Sequence, residues 1–300
     1  MATVSIEKFE DTLVLHFETQ GSRINAYTLA TTLVAVADAA KAANAVINPG
    51  HEIEIVVEAL AAGSFKATLK TLYKSRPGVL SAQLAGAIVV GLLTNFIYEK
   101  VFQDDPKVKV TINTTEVIIQ DGDDRYIVPR EVYDATRQAE KNPEFPKAVG
   151  RALDAISRDE DIQGLRLLPS DSASTSTPVI SIERLRAAAL KPIDLPNIRV
   201  VPEIVNLQIL KAILERSKRK WEFMWRGFKI SAPITDELFY INFFAHDITI
   251  APGDVLHVTL HVIQELDRRT GVYKNLKYEV VQVHNHIPRI RQPSLDASDG

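Results

Sequence analysis

The sequence predicts an α+β protein with two domains, and three observations lead to this prediction. Strand-like alternation and helix-like periodicity come in separate runs in the first half of the chain, which favours α+β. A low-complexity stretch, SDSASTSTP, then reads as a flexible linker. The pattern after residue 220 is mostly β. We therefore predict an α+β domain over 1–168, a linker over 169–180, and a helix with a small β-barrel-like domain over 181–300.

The elements of the first domain follow from apolar spacing. Leu13, Leu15 and Phe17 share one face of a predicted strand, and 24–44 forms an alanine-rich helix with one apolar stripe. Residues 51–60 and 65–73 form the clearest hairpin. The later elements are strands at 108–112, 116–120, 125–129 and 164–168, and helices at 130–141 and 144–157, with a turn at Asp121-Gly122.

One segment of this domain, LSAQLAGAIVVGLLTNFIY at 80–98, is unusually apolar. No charged residue occurs from Gly78 to Tyr98, and a bilayer span needs about 20 such residues. Gln83, Asn95 and the position of the segment between strands favour a tightly packed core helix instead. Both readings stay open, so this predicted interface or membrane helix is represented by Gly86, Ile88, Gly91 and Leu92.

The second domain is predicted to contain helices at 182–190 and 203–218. The second helix is assigned because Ile204, Leu207 and Leu210 fall on one helical stripe. The predicted strands cover 221–225, 228–234, 255–263 and 276–283, with a short helical piece at 235–244.

A basic and aromatic run, KAILERSKRKWEFMWRGFK, spans Lys211 to Lys229. Cations that interleave with aromatic rings can meet phosphates and stack on bases. The candidate partner-binding residues are Lys218, Arg219, Lys220, Trp221, Trp225 and Arg226. The alternative is that the tryptophans, which share one strand face, build the core of the domain.

Four histidines on the last two predicted strands form a candidate metal site. His257 and His261 share a strand face, as do His284 and His286. A hairpin would bring His257 and His284 to the same level, although a phase change at Val280-Val281 predicts a bulge. No carboxylate completes the set by spacing, so an exposed polar face is the alternative.

The composition limits the function classes. The chain has 300 residues, a formal net charge of −3 and no cysteine. It therefore lacks disulfides, thiolate metal sites and a cysteine nucleophile, and it carries no global electrostatic footprint for nucleic acid. The start of the chain lacks the pattern of a secretory signal, which fits a cytoplasmic protein.

Two stretches, INPGHEIEIVVEALAAGSFKATLKTLY and VPREVYDATRQAEKNPEF, resemble a group of uncharacterised bacterial proteins. A weaker similarity lies in WEFMWRGFKISAPITDELF and PGDVLHVTL. The resemblance implies a bacterial cytoplasmic origin and an accessory or defence-related gene. It implies no reaction and no catalytic residues.

The sequence contains no motif that identifies a reaction or a cofactor. Our first hypothesis is a non-enzymatic binding protein that recognises a protein, a peptide or a nucleic acid. Small-residue helix faces and sheet edges also permit a homo-oligomer. The alternatives are a membrane-active effector that uses 80–98, and a metal-dependent enzyme that uses the histidine face.

Overall fold

The computed structural model describes most of the chain and divides it into two compact units, Met1–Arg199 and Val200–Gly300. It combines helices with antiparallel-rich sheets, which confirms the α+β class. The described residues are 3–6, 11–21, 23–49, 52–60, 65–74, 82–102, 105–169, 177–191, 197–213, 215, 219–245, 248–267 and 270–289.

The described strands of the first unit form two sheets. The four-stranded sheet has the order β1-β7-β6-β5, and β1 is its one parallel member among the described strands. The five-stranded sheet has the order β3-β4-β2-β8-β9 and is antiparallel. Their bounds are β1 Thr3–Ser5, β2 Thr12–Thr19, β3 Glu52–Leu60, β4 Phe65–Lys74, β5 Val108–Ile112, β6 Glu116–Asp121, β7 Asp124–Pro129, β8 Ile162–Leu168 and β9 Ile180–Ser181.

The described part of this unit has five helices that share the core with these sheets: α1 Ala26–Ile47, α2 Ala82–Phe102, α3 Arg130–Ala139, α4 Glu144–Ser157 and α5 Ile182–Leu190. The predicted inward face of β2 is confirmed, since Leu13, Leu15 and Phe17 are all buried. Asn25 caps α1 because its side chain accepts a hydrogen bond from the amide of Tyr27. Local sequence signals therefore define most of these elements.

Helix α2 occupies the centre of the first core. Every residue from Val89 to Tyr98 is buried, as a core helix requires. Gly91 lies where a Cβ atom would be 3.1 Å from Ile6 Cγ2 and 3.3 Å from Val132 Cγ1. The small residue therefore allows α2 to approach α3 and the residue that follows β1 closely.

Helix α5 belongs to the first unit, whereas the sequence-based division placed it in the second domain. Ile182 and Leu185 are buried in the core of the first unit. Arg184 bridges to Asp105 at 3.0 Å, also forms an ion pair with Asp121, and lies over the ring of Phe102. The low-complexity stretch, of which 170–176 lie outside the described residues, precedes an element of the same unit.

Where the structure describes it, the second unit is a curled five-stranded sheet of order β12-β11-β10-β13-β14 with one helix, α6. The ends of the sheet approach each other through a bridge between Ile234 and Val280, but no closed barrel forms among the described strands. The bounds are β10 Ile198–Lys211, β11 Trp221–Trp225, β12 Phe228–Ala232, α6 Glu237–Phe244, β13 Val255–Asp267 and β14 Val272–Ile287.

The predicted helix at 203–218 is wrong, because residues 198–211 form β10. Leu207 and Ile209 are buried while Asn206 and Gln208 are exposed, which is the alternation of a strand. β11 and β13 flank β10 and satisfy its backbone groups. The tertiary pairing therefore overrides an apolar spacing that also fitted a helix.

Candidate functional site

The two tryptophans of the predicted partner-binding run are core residues. Trp221 is fully buried and stacks on Phe223 at a ring distance of 6.1 Å. Trp225 is 8% exposed and meets the ring of Tyr278 edge-on at 5.8 Å. Neither indole is therefore available to stack on a nucleic acid base, and the core alternative describes both positions.

The described cations of this run are exposed, and three of them have acidic partners. Arg219 pairs with Glu215 at 3.0 Å, and Lys229 pairs with Glu222 at 2.8 Å. A hydrogen bond from Lys229 holds the pKa of the Glu222 carboxyl below its ordinary value. Lys220 is exposed, while Lys218 lies outside the described residues.

Arg226 occupies the turn between β11 and β12. Its guanidinium lies 4.5 Å from the ring of Trp225 and forms a 2.6 Å ion pair with Glu203. Arg226 and Gly227 both have positive φ, which matches the twist of a two-residue hairpin turn. Arg226 thus covers the edge of the core, and Glu203 offsets its charge.

The four predicted metal-ligating histidines do not converge on one point. His257 and His284 do come together, with ring centroids 5.4 Å apart, as the hairpin predicted. His257 Nδ1 lies 2.8 Å from Asn206 Oδ1, and His284 Nε2 lies 2.8 Å from Thr259 Oγ1. These contacts form a polar row on the sheet.

The other two histidines occupy different surroundings. His261 is buried and lies opposite Glu279 in the strand register. His286 lies opposite Leu256, and its Nε2 atom is 2.8 Å from Oδ2 of Asp254. Bulges on β14 separate these positions. Across the part of the chain that the structure describes, no group of three or more His, Asp or Glu residues is placed to hold a metal ion.

Asp254 is a buried carboxylate that ties β13 to the end of β14. It accepts hydrogen bonds from the amides of Ala251 and Arg289 at 2.8 and 2.9 Å, in addition to the contact with His286. Burial alone would raise the pKa of this carboxyl, but these hydrogen bonds outweigh it and lower the pKa. The arrangement stabilises the charged form.

The predicted interface or membrane helix contributes core residues where it is described. Leu92 is fully buried, and Gly91 packs against Ile6 and Val132. The backbone at Gly86 and Ile88 belongs to α2, but the packing around residues 82–88 lies outside what the structure describes. Among the described residues, one helix, α1, is long and apolar enough to cross a membrane by length and composition, and 39% of its most apolar window is buried.

Helix α6 carries exposed apolar side chains that the sequence analysis did not select. Ile241 is 58% exposed and Phe244 is 48% exposed, while the half-buried Phe243 contacts the ring of Phe244 at 5.4 Å. We call these three residues the α6 surface. The signal in the sequence was LFYINFFA, an aromatic run without a charge.

Hydrogen bonds of Asp236 attach the start of α6 to the sheet. Asp236 caps the helix by accepting hydrogen bonds from the amides of Leu238 and Phe239, at 3.0 and 3.1 Å. Its other carboxylate oxygen accepts a hydrogen bond from the amide of Val283 on β14. Phe239 and Tyr240 anchor the helix in the core, and their rings stack on Phe243 and Phe244 of the α6 surface at 6.0 Å each.

No protein-family model, curated protein or solved structure matches this chain.

Proposed function

We propose that this chain is a non-enzymatic binding protein whose second unit takes up a protein partner on the α6 surface. The observation that carries the proposal is the exposure of Ile241 and Phe244 on a helix anchored by buried aromatic residues. Exposed contiguous apolar side chains of this kind are typical of interaction sites. Aromatic residues also supply much of the binding energy at protein interfaces.

The surroundings favour a partner segment with apolar side chains next to a basic residue. Ile241 and Phe244 are three residues apart and lie on one face of the helix, so a short apolar segment can cover both. The exposed Glu237 makes the adjacent first turn acidic. A lysine or arginine of the partner would complement this charge.

A nucleic acid is less favoured as the partner. Base stacking needs accessible rings, and of the four rings in the basic and aromatic run three are buried, which leaves Phe228 as the exposed one. Arg219, Arg226 and Lys229 already have carboxylate partners, which reduces the positive potential of the hairpin. We therefore favour a protein over a nucleic acid as the partner of the second unit.

The test is selection of a phage-displayed random peptide library on the immobilised full-length protein. We expect enriched apolar peptides with a basic residue, and at least about tenfold weaker binding of these peptides to the double variant Ile241→Ser/Phe244→Ser. The matched control is Val272→Ser/Leu276→Ser, which replaces side chains of similar exposure on β14, at 57% and 54%.

Each outcome of this selection is decisive. Both variants should keep the unfolding transition of the original chain, because substitutions at exposed positions change stability by about 0.5 kcal/mol or less. Retained binding to the α6 variant, equal loss in the β14 control, or the absence of any enriched peptide would overturn the proposal.

A further inference from the structure

The first unit presents a second surface, independent of α6, at the edge strand β5. Val110 is 57% exposed and Ile112 is 54% exposed. Both lie on the same strand face as Val108, opposite the buried Ile119 and Val117 of β6. The apolar face of the four-stranded sheet thus continues onto a strand that is largely exposed.

The backbone of β5 also has hydrogen-bonding groups directed away from its sheet. The amide of Asn113 donates to the carbonyl of Glu116, so these two residues form a hydrogen-bonded pair. Antiparallel pairs alternate between bonded and non-bonded, so Thr111 and Lys109 also direct their backbone groups toward β6. The N–H and C=O groups of Val110 and Ile112 therefore point outward from the edge.

The other described edge strands carry features that block pairing. β14 has three register shifts against β13, and β3 carries a register shift together with Glu52, Glu54 and Glu58. β1 and β9 have only three and two residues, and the chain after β12 bridges to β14. Among the described residues, β5 is regular along its length, and Lys109 is its only charged side chain.

We propose that β5 pairs with the β5 strand of a second copy of this chain, antiparallel and centred on Val110. In this register Val110 faces its own counterpart, Val108 faces Ile112, and Lys109 faces Thr111. The apolar row meets an apolar row, and no like charges lie opposite each other. The pairing satisfies the outward N–H and C=O groups of Val110 and the outward N–H of Ile112, while the amide of Val108 keeps its bond to the carbonyl of Asp105. It joins the two four-stranded sheets into one.

Sedimentation velocity of the full-length protein over a concentration series tests this pairing. We expect the average mass to rise from one chain toward two with concentration. Val110→Lys should stay monomeric, because the register places the two new charges directly opposite each other. The control Leu276→Lys, at an exposed position of β14, should dimerise like the original chain.

Site-directed disulfide formation tests the register. The chain contains no cysteine, so Val110→Cys introduces a single thiol. Residues directly opposite in an antiparallel pair are close enough for a disulfide, so this variant should form cross-linked dimers at least about tenfold faster than Leu276→Cys. A monomer at all concentrations up to about 1 mM, dimerisation of Val110→Lys, or equal cross-linking of the two cysteine variants would overturn the proposal.

Discussion

At the scale of single residues, the described part of the first core contains two buried hydroxyl groups without a hydrogen-bond partner, those of Thr32 and Tyr98. Thr32 on α1 is 1% exposed, and its Oγ1 atom is buried without a partner. It borders a small space otherwise lined by apolar side chains, which include Val36, Leu93 and Ile97. A buried polar group without a hydrogen bond costs about 1–3 kcal/mol.

Replacement of the Thr32 hydroxyl should stabilise the protein. We expect Thr32→Val to raise the free energy of unfolding by about 1–2 kcal/mol, because valine keeps the shape and removes the unpaired group. The matched control is Thr136→Val on α3. Thr136 Oγ1 donates to the carbonyl of Val132 at 2.8 Å and accepts from Asn95 Nδ2 at 3.0 Å, so its loss should lower stability.

Urea unfolding followed by far-ultraviolet circular dichroism measures both variants. The same replacement of a buried threonine by valine should raise the free energy of unfolding at position 32 and lower it at position 136. A Thr32→Val protein that is no more stable than the original chain would contradict the account of this hydroxyl.

The sequence predicted some side-chain environments and missed others for a specific reason. Alternation placed Trp221, Phe223 and Trp225 on one face, and that face is the core. Alternation alone cannot separate Trp225 from Phe228, which pair across the hairpin and share a face. Yet Trp225 is 8% exposed and Phe228 is 74% exposed. Tyr278 of β14 and the guanidinium of Arg226 both lie against the ring of Trp225, and this coverage comes from outside the local pattern.

At the scale of elements, Asp254 joins the start of β13 to the amides of Ala251 and Arg289. The folded state lowers the pKa of this carboxyl, whereas the unfolded chain has a value of about 3.9. The resulting stabilisation is complete above about pH 5 and is lost as the pH falls past the unfolded value of about 3.9 and through the folded pKa. The second unit should therefore lose stability in acid.

We expect Asp254→Asn to remove this part of the pH dependence. Both tryptophans of the chain, Trp221 and Trp225, lie in the second unit, so their fluorescence during urea unfolding reports on that unit. The original chain should lose stability steeply below about pH 4. The variant should be less stable at neutral pH and should show a shallower acid slope, and identical slopes would refute the assignment.

Elements whose apolar residues fit only one periodicity were predicted correctly, whereas β10, whose apolar residues fit both the helical and the strand periodicity, was not. α4, predicted at 144–157, buries Phe145, Val149, Leu153 and Ile156, which recur at helical spacing in the sequence. For β10, the segment around Leu207 fits both a helical stripe and strand alternation. Whether this segment forms a helix or a strand depends on its pairing with β11 and β13, which a pattern within the segment itself does not contain.

At the scale of the whole molecule, the division between units follows packing rather than composition. The serine-rich stretch indicated a boundary near residue 170, but β9 pairs with β8, and α5 packs in the first core. A polar, small-residue segment reports local chain preference only. It carries no information about which core the next helix joins.

Two fragments test this division. A fragment that ends at Arg199 should fold cooperatively, whereas one that ends at Leu168 should not. The shorter fragment lacks Ile182 and Leu185, and each fully buried side chain of this kind contributes about 1.5–3 kcal/mol. It also leaves Asp105 and Asp121 without Arg184. Thermal unfolding followed by circular dichroism decides, and equal transitions would place α5 outside the first unit.

The parallel pairing of β1 with β7 has a consequence for the order of folding. β5, β6 and β7 follow one another along the chain and pair through short hairpins. β1 emerges first from the ribosome, but Thr3 pairs with Arg125, so its partner is synthesised much later. Closing so long a loop costs more entropy than closing a hairpin. β1 should therefore be the first strand of its sheet to be made and the last to be added.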